Sequence, residues 1–192
     1  MPTLPPSQKI AQSTRLYRKL HKWLAVPLFL FMILVGGTGL LLGWKKQTQL
    51  LPKTTKGTTS ESGKWISLDS TQRVAQAYSR TELGLPDEID RIDVRPQKGV
   101  AKIVFTQHFT ELQIDCTTGE ILSIHTRTSD IIEKIHDGSI LDYWIGQDGE
   151  QVKITYTSIL GLGLILLSFS GFWLWYNPKR IRKQKNSVAA AV

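Results

Sequence analysis

Two charge-free apolar runs, Trp23 to Trp44 and Ile154 to Tyr176, enclose a polar middle segment. Each is about 22 residues long, which as a helix rises about 33 Å and spans a hydrocarbon core of about 30 Å. Backbone groups in lipid must be satisfied within the segment, so both runs are expected to be helices. Between them, Val74, Ala75, Ala77 and Tyr78 form an apolar helical stripe. A helix over about 70–83 follows, N-capped by Asp69 or Ser70 and stopped by Gly84 and Pro86. The pattern then changes to alternation. Ile89–Val94, Val100–Thr106, Phe109–Asp115 and Glu120–Thr126 read as a meander of three or four antiparallel strands. Gly119, after Thr118, is placed at a turn position needing φ > 0 between the last two strands.

This pattern divides the chain into a basic tail (1–22), a first span (23–44), a linker (45–64), a small domain (65–127), a juxtamembrane segment (128–153), a second span (154–176) and a second basic tail (177–192). The linker is rich in Lys, Thr, Ser and Gly and contains Pro52. In the juxtamembrane segment Ile131, Ile132 and Ile135 share a helical face opposite Glu133, Lys134 and Asp137. A short amphipathic helix is expected there, ending near Gly138, then a turn that lays Tyr143 and Trp144 on the headgroup layer. The alternative is that the same isoleucines pack under the sheet. The fold class is therefore α+β: two transmembrane helices flanking a small extracytoplasmic domain of one helix on an antiparallel sheet.

Charge orients the chain. Lys9, Arg15, Arg18, Lys19 and Lys22 precede the first span, and Lys179, Arg180, Arg182, Lys183 and Lys185 follow the second. The positive-inside rule places both termini in the cytoplasm and the domain outside the membrane. The formal net charge of +8 belongs to these tails, since residues 60–130 carry eight Lys/Arg against eleven Asp/Glu. Anionic headgroups are thus the expected counter-surface, and nucleic acid is not. The first run exceeds a signal h-region and is followed by Lys-Lys-Gln, so it is expected to stay as an anchor.

Candidate chemistry is sparse. The single Cys116 excludes an intrachain disulfide and Cys-based zinc or iron–sulfur sites. There is no G-x-S-x-G, H-E-x-x-H, P-loop or dinucleotide fingerprint, and no catalytic residue or metal site is assigned. The dispersed carboxylates of the domain suggest solvated sheet faces. Gly36, Gly39 and Gly43 line one side of the first span; Thr157, Gly161, Ser168 and Gly171 follow a similar stripe on the second. Such stripes either pack the two spans together or form a homodimer contact. Trp23, Trp44, Trp173, Trp175 and Tyr176 are placed as interfacial anchors, and Pro27 near a first helical turn, where its missing N–H costs little.

The helix, strand and hairpin order ending in Ile114-Asp115-Cys116-Thr117-Thr118-Gly119-Glu120-Ile121-Leu122 resembles a PepSY domain. Arg18-Lys19-Leu20-His21-Lys22-Trp23-Leu24 with Gly37-Thr38-Gly39-Leu40 resembles the first helix of PepSY-associated transmembrane proteins. Ile135-His136-Asp137-Gly138, with a span ending Ser170-Gly171-Phe172-Trp173-Leu174-Trp175, resembles the second. Larger relatives look like inner-membrane haem proteins that reduce siderophore iron through histidines near span ends. The resemblance therefore raises haem b ligation by His21 or His136, whereas His108 and His125 match no such position. His21 and His136 lie a bilayer apart, about 30 Å, so one haem within one chain cannot use both. A second copy or a partner subunit would supply the other ligand.

Two functions follow. The leading expectation is a non-enzymatic envelope module that binds or regulates a membrane or periplasmic partner protein. The competing one is a haem b redox or iron-siderophore uptake accessory.

Overall fold

The structure, a computed structural model, describes residues 6–146 and 150–189. Among the described residues five α-helices and four strands follow in the order α1 (Pro6–Gly43), α2 (Leu68–Tyr78), β1 (Ile89–Arg95), β2 (Val100–Phe105), β3 (Thr110–Asp115), β4 (Ile121–Thr126), α3 (Thr128–Asp137), α4 (Ser139–Ile145) and α5 (Gln151–Ala189). Two long apolar helices thus flank a four-stranded antiparallel sheet, as expected for the α+β class. The chain forms two compact units, one of α1 up to Thr38 with the residues from His136 onward, the other of Gly39–Ile135.

In the second unit the sheet is a simple meander, β1-β2-β3-β4. Its registers pair Ile92 with Ile103, Ile103 with Leu112 and Leu112 with Ile124. Period-2 alternation puts Ala101, Ile103, Phe105, Leu112 and Ile114 in one core with Ala75 of α2, and Trp65, Val74 and Tyr78 pack around it. The N-cap of α2 is Ser67, whose side chain accepts from the Ser70 N–H, two or three residues before the expected Asp69 or Ser70. A π-helical turn extends the helix over Ser79–Leu83, and Gly84 ends it at φ 64°. Gly119 takes φ 76° in the β3–β4 connection, as its place after Thr118 requires.

The opposite sheet face is not solvated. Glu111 and Gln113 are 0 % exposed, and Lys102 and Asp115 are 3 % exposed. Lys102 Nζ lies 3.0 Å from Glu111 Oε1, and Arg127 pairs with Glu111 Oε2. Arg127 Nε reaches Asp130 at 2.6 Å and Arg91 reaches it at 2.9 Å. Residues 52–58 of the expected linker lie along this face as a strap. Gln113 donates to the Lys53 carbonyl at 2.9 Å and accepts from the Thr55 N–H at 2.7 Å. Thr58 donates to Asp115 from both its N–H and its hydroxyl. Polar groups taken out of water demand partners, and here the strap supplies those that the sheet lacks. Cys116 is a free, buried thiol; burial and the Asp115 charge push its pKa up.

The first unit corrects two local expectations. Pro27 lies in the interior of α1, because that helix begins at Pro6 and carries the basic tail residues on its first turns. The Trp23 carbonyl therefore has no i+4 N–H to accept from. Tyr143 and Trp144 lie on α4, a helix rather than a turn, which starts after Gly138 at φ 81°. Asp142 on that helix accepts from the Val152 and Lys153 N–H groups at 3.0 and 2.8 Å and so caps α5.

Candidate functional site

α1 and α5 run antiparallel against each other. Tyr17 stacks on Trp173 at 6.1 Å, His21 meets Ser170, Leu28 seats on Gly163, and Phe31 meets the Tyr156 ring edge-on at 5.9 Å. A Cβ on Gly163 would collide with the Leu28 side chain, so this glycine lets the helices close. A Cβ on Gly171 would stand 3.5 Å from His21 Cε1. Gly36, Gly43 and Gly161 have nothing within 4 Å of such an added atom. The contacts within the chain thus leave Gly36 and Gly43 uncovered.

Two histidines share one arrangement. The Ser170 hydroxyl donates to the Leu166 carbonyl at 2.7 Å and lies 2.9 Å from His21 Nδ1. The Thr38 hydroxyl donates to the Leu34 carbonyl at 2.7 Å and lies 2.9 Å from His136 Nδ1. A hydroxyl has one proton, and when that proton is on its own helix the ring donates from Nδ1 and keeps its lone pair on Nε2. That is the orientation in which a histidine serves as a ligand, with its far nitrogen held by a fixed acceptor. The two sites stay apart. Thr38 is 17 residues beyond His21 on the same helix (38 − 21), about 25 Å along its axis.

The other two histidines differ. His108 stacks on Phe105 at 4.6 Å and its Nε2 donates to the Pro86 carbonyl at 2.9 Å. His125 is exposed on β4, at the sheet edge. Among the described residues no group of three His, Cys, Asp or Glu is placed to hold a metal ion.

The model of the PepSY-associated TM region matches residues 18–190. The chain belongs to this PepSY-associated family. Together with two helices long and apolar enough to cross a bilayer, Gln8–Gly43 and Gln151–Gln184, this makes it a membrane-associated PepSY protein. No curated protein matches the chain.

In this PepSY protein His21 and His136 were legible as candidates, but their partners were not. Ser170 is 149 positions from His21 and Thr38 is 98 from His136. Only Gly171, on the small-residue stripe of the second span, marked one of those turns as a place of close approach.

Proposed function

We propose that this chain is a haem b-binding redox or iron-uptake accessory of the bacterial inner membrane. The observation that supports it most is the matched pair His21–Ser170 and His136–Thr38, each with Nδ1 held at a hydroxyl oxygen, so that Nε2 would be the nitrogen to hold iron. Haem would supply one-electron transfer across the bilayer, which the side chains of this chain do not perform. His21 and His136 would each hold one iron from one side, and Ser170 and Thr38 would hold the rings in register. Any further ligand would come from a second copy or a partner protein. Gly36 and Gly43, uncovered within the chain, with Gly39 between them, suit a homodimer contact.

Both termini are proposed to be cytoplasmic and the domain extracytoplasmic, on the strength of the ten basic residues of the two tails. A reporter fused after Val192 that is active only outside the membrane would refute this orientation. For haem, the purified full chain should show a Soret band that falls with His21→Ala, falls with His136→Ala and vanishes with both. A wild-type protein reconstituted with haem that shows no such band sinks the reading.

A second reading keeps the domain as a docking module for a membrane or periplasmic protein. The observation favouring it is the β4 edge, where Ile124 and His125 are exposed. An extended segment could pair there by strand addition. Loss of cross-linking to a candidate partner on Ile124→Pro would support it, because the Ile124 N–H faces away from β3 and proline removes that edge donor.

A further inference from the structure

At the end of the helix pair that carries the two tails, the chain supplies cations and no counter-charge. Residues 1–22 and 177–192 hold ten Lys and Arg and not one Asp or Glu. Here a pocket of about 260 Å³ opens between α1 and α5, lined by Lys9, Ser13 and Tyr17 from one helix and by Trp173, Asn177 and Arg180 from the other. Asn177 is 3 % exposed, yet among the described residues its amide makes no hydrogen bond. Nor is that amide sealed in the interior, since it lines the pocket. A buried amide without a partner is costly, so a polar ligand that reaches it is what this wall lacks. Lys9 makes no ion pair among the described residues, and Arg180 reaches only the Tyr176 ring, at 5.8 Å.

We propose that this pocket binds an anionic phospholipid with a hydroxylated headgroup, of the phosphatidylglycerol kind. Lys9 and Arg180 supply the charge that a phosphate needs, and no carboxylate lines the pocket to oppose it. The Ser13 hydroxyl and the Asn177 amide N–H donate to phosphate oxygens, while Asn177 Oδ1 accepts from a headgroup hydroxyl. A choline headgroup offers no donor to that oxygen and brings a cation toward Lys9 and Arg180. Depth selects a lipid over free phosphate. Asn177 is four residues beyond Trp173 (177 − 173), about 6 Å further along α5, and aromatic rings at a span end mark the headgroup level. The Tyr17–Trp173 stack, at 6.1 Å, gives the glycerol and first methylenes an apolar wall. Basic pockets between spans are a recognised way of holding anionic headgroups. The inference requires neither haem nor a particular orientation of the chain.

The test titrates the full chain, in a neutral detergent, with dioleoyl phosphatidylglycerol and follows it by native mass spectrometry. Saturable retention of one lipid per chain is expected, in preference to dioleoyl phosphatidylcholine. Arg180→Gln should weaken it about fivefold. Lys179→Gln removes the same charge from a residue that lies over the Trp175 ring at 3.5 Å and does not line the pocket, and it should leave retention unchanged. Asn177→Asp, close in shape but anionic, should weaken retention by roughly tenfold or more, an effect that a merely structural asparagine would not confine to the anionic lipid. Equal retention of the two lipids overturns the proposal. So does equal loss in Lys179→Gln and Arg180→Gln, which would mean diffuse attraction to the tails. Displacement of the lipid by millimolar inorganic phosphate overturns it too, as the mark of a free-anion site. Should Asn177→Asp fail to fold, Arg180→Gln against Lys179→Gln decides.

Discussion

Asp115 Oδ2 accepts from Thr58 twice, from its N–H at 2.7 Å and from its hydroxyl at 2.6 Å, and so ties the strap to the last residue of β3. The other carboxylate oxygen accepts from the Thr117 N–H at 2.7 Å, so one side chain fastens the strap and shapes the following turn. Burial works to raise the Asp115 pKa, but the hydrogen bonds from Thr58, Thr117 and Thr118 outweigh it and hold the carboxyl below its ordinary 3.8. A depressed folded-state value means that the stabilisation is complete above the unfolded value and is lost as pH falls through the folded one. The strap should therefore stay closed at neutral pH and loosen only below about pH 4. Hydrogen exchange of the Thr58 amide across that range checks it. Asp115→Asn should expose the amide at pH 7 and remove the acid dependence.

Glu111 carries a larger share of the same face. It is fully buried between Lys102, which is itself 3 % exposed, and Arg127. Removing one member of a buried ion pair leaves its partner charged and uncompensated, at a cost of about 3–5 kcal/mol. Glu111→Ala should thus cost the domain far more than Glu61→Ala, whose partner Lys64 is solvent-exposed. Amide protection of β2 and β3 in the full chain measures the difference. If the two variants are alike, the network is not what holds this face.

Gly119 sits at φ 76°, and a Cβ there would stand 3.2 Å from Ile66 Cδ1. Strain and crowding act together. Gly119→Val should destabilise the domain by about 1–3 kcal/mol, read as a lower unfolding midpoint. Gly84 shares the positive φ, at 64°, but faces open space, so Gly84→Ala should cost less. An unchanged midpoint for Gly119→Val would contradict the hairpin geometry.

Elements that depend on local pattern were legible from the chain alone: the two apolar helices, the alternation of β2 and β3, and the turn at Gly119. What escaped was set by partners distant in sequence. Glu111, Gln113 and Asp115 alternate with Leu112 and Ile114, which in a thin domain reads as a wet sheet face. That face is dry because a Thr-rich segment more than 50 positions earlier folds back over it, as in the Thr55–Gln113 and Thr58–Asp115 bonds. Composition marked this segment as a linker, since threonines and lysines carry no apolar periodicity to betray a docked strand. Pro27 was misplaced for a related reason: hydropathy shows the bilayer-crossing stretch, whereas the helix continues back to Pro6 through charged residues.

On α4, Leu141, Trp144 and Ile145 fall at i, i+3 and i+4 and form one exposed apolar face, with Trp144 73 % exposed. Asp142, on another side of the helix, is buried and spent on capping α5. A seven-residue helix cannot sustain itself in water, and its exposed apolar face suits lipid contact. Tryptophan at such a position prefers the headgroup level, where the ring is apolar and the N–H is wet. In bilayers, Trp144 should be quenched most strongly by lipids brominated near the glycerol end of the acyl chain. The measurement needs the other five tryptophans, Trp23, Trp44, Trp65, Trp173 and Trp175, replaced by Phe. Leu141→Glu on the same face should shift the emission of Trp144 to the red by lifting the helix out of the interface. Trp144 emission that no brominated lipid quenches would show that this face is covered by protein, and the short helix would then belong to an interface between chains.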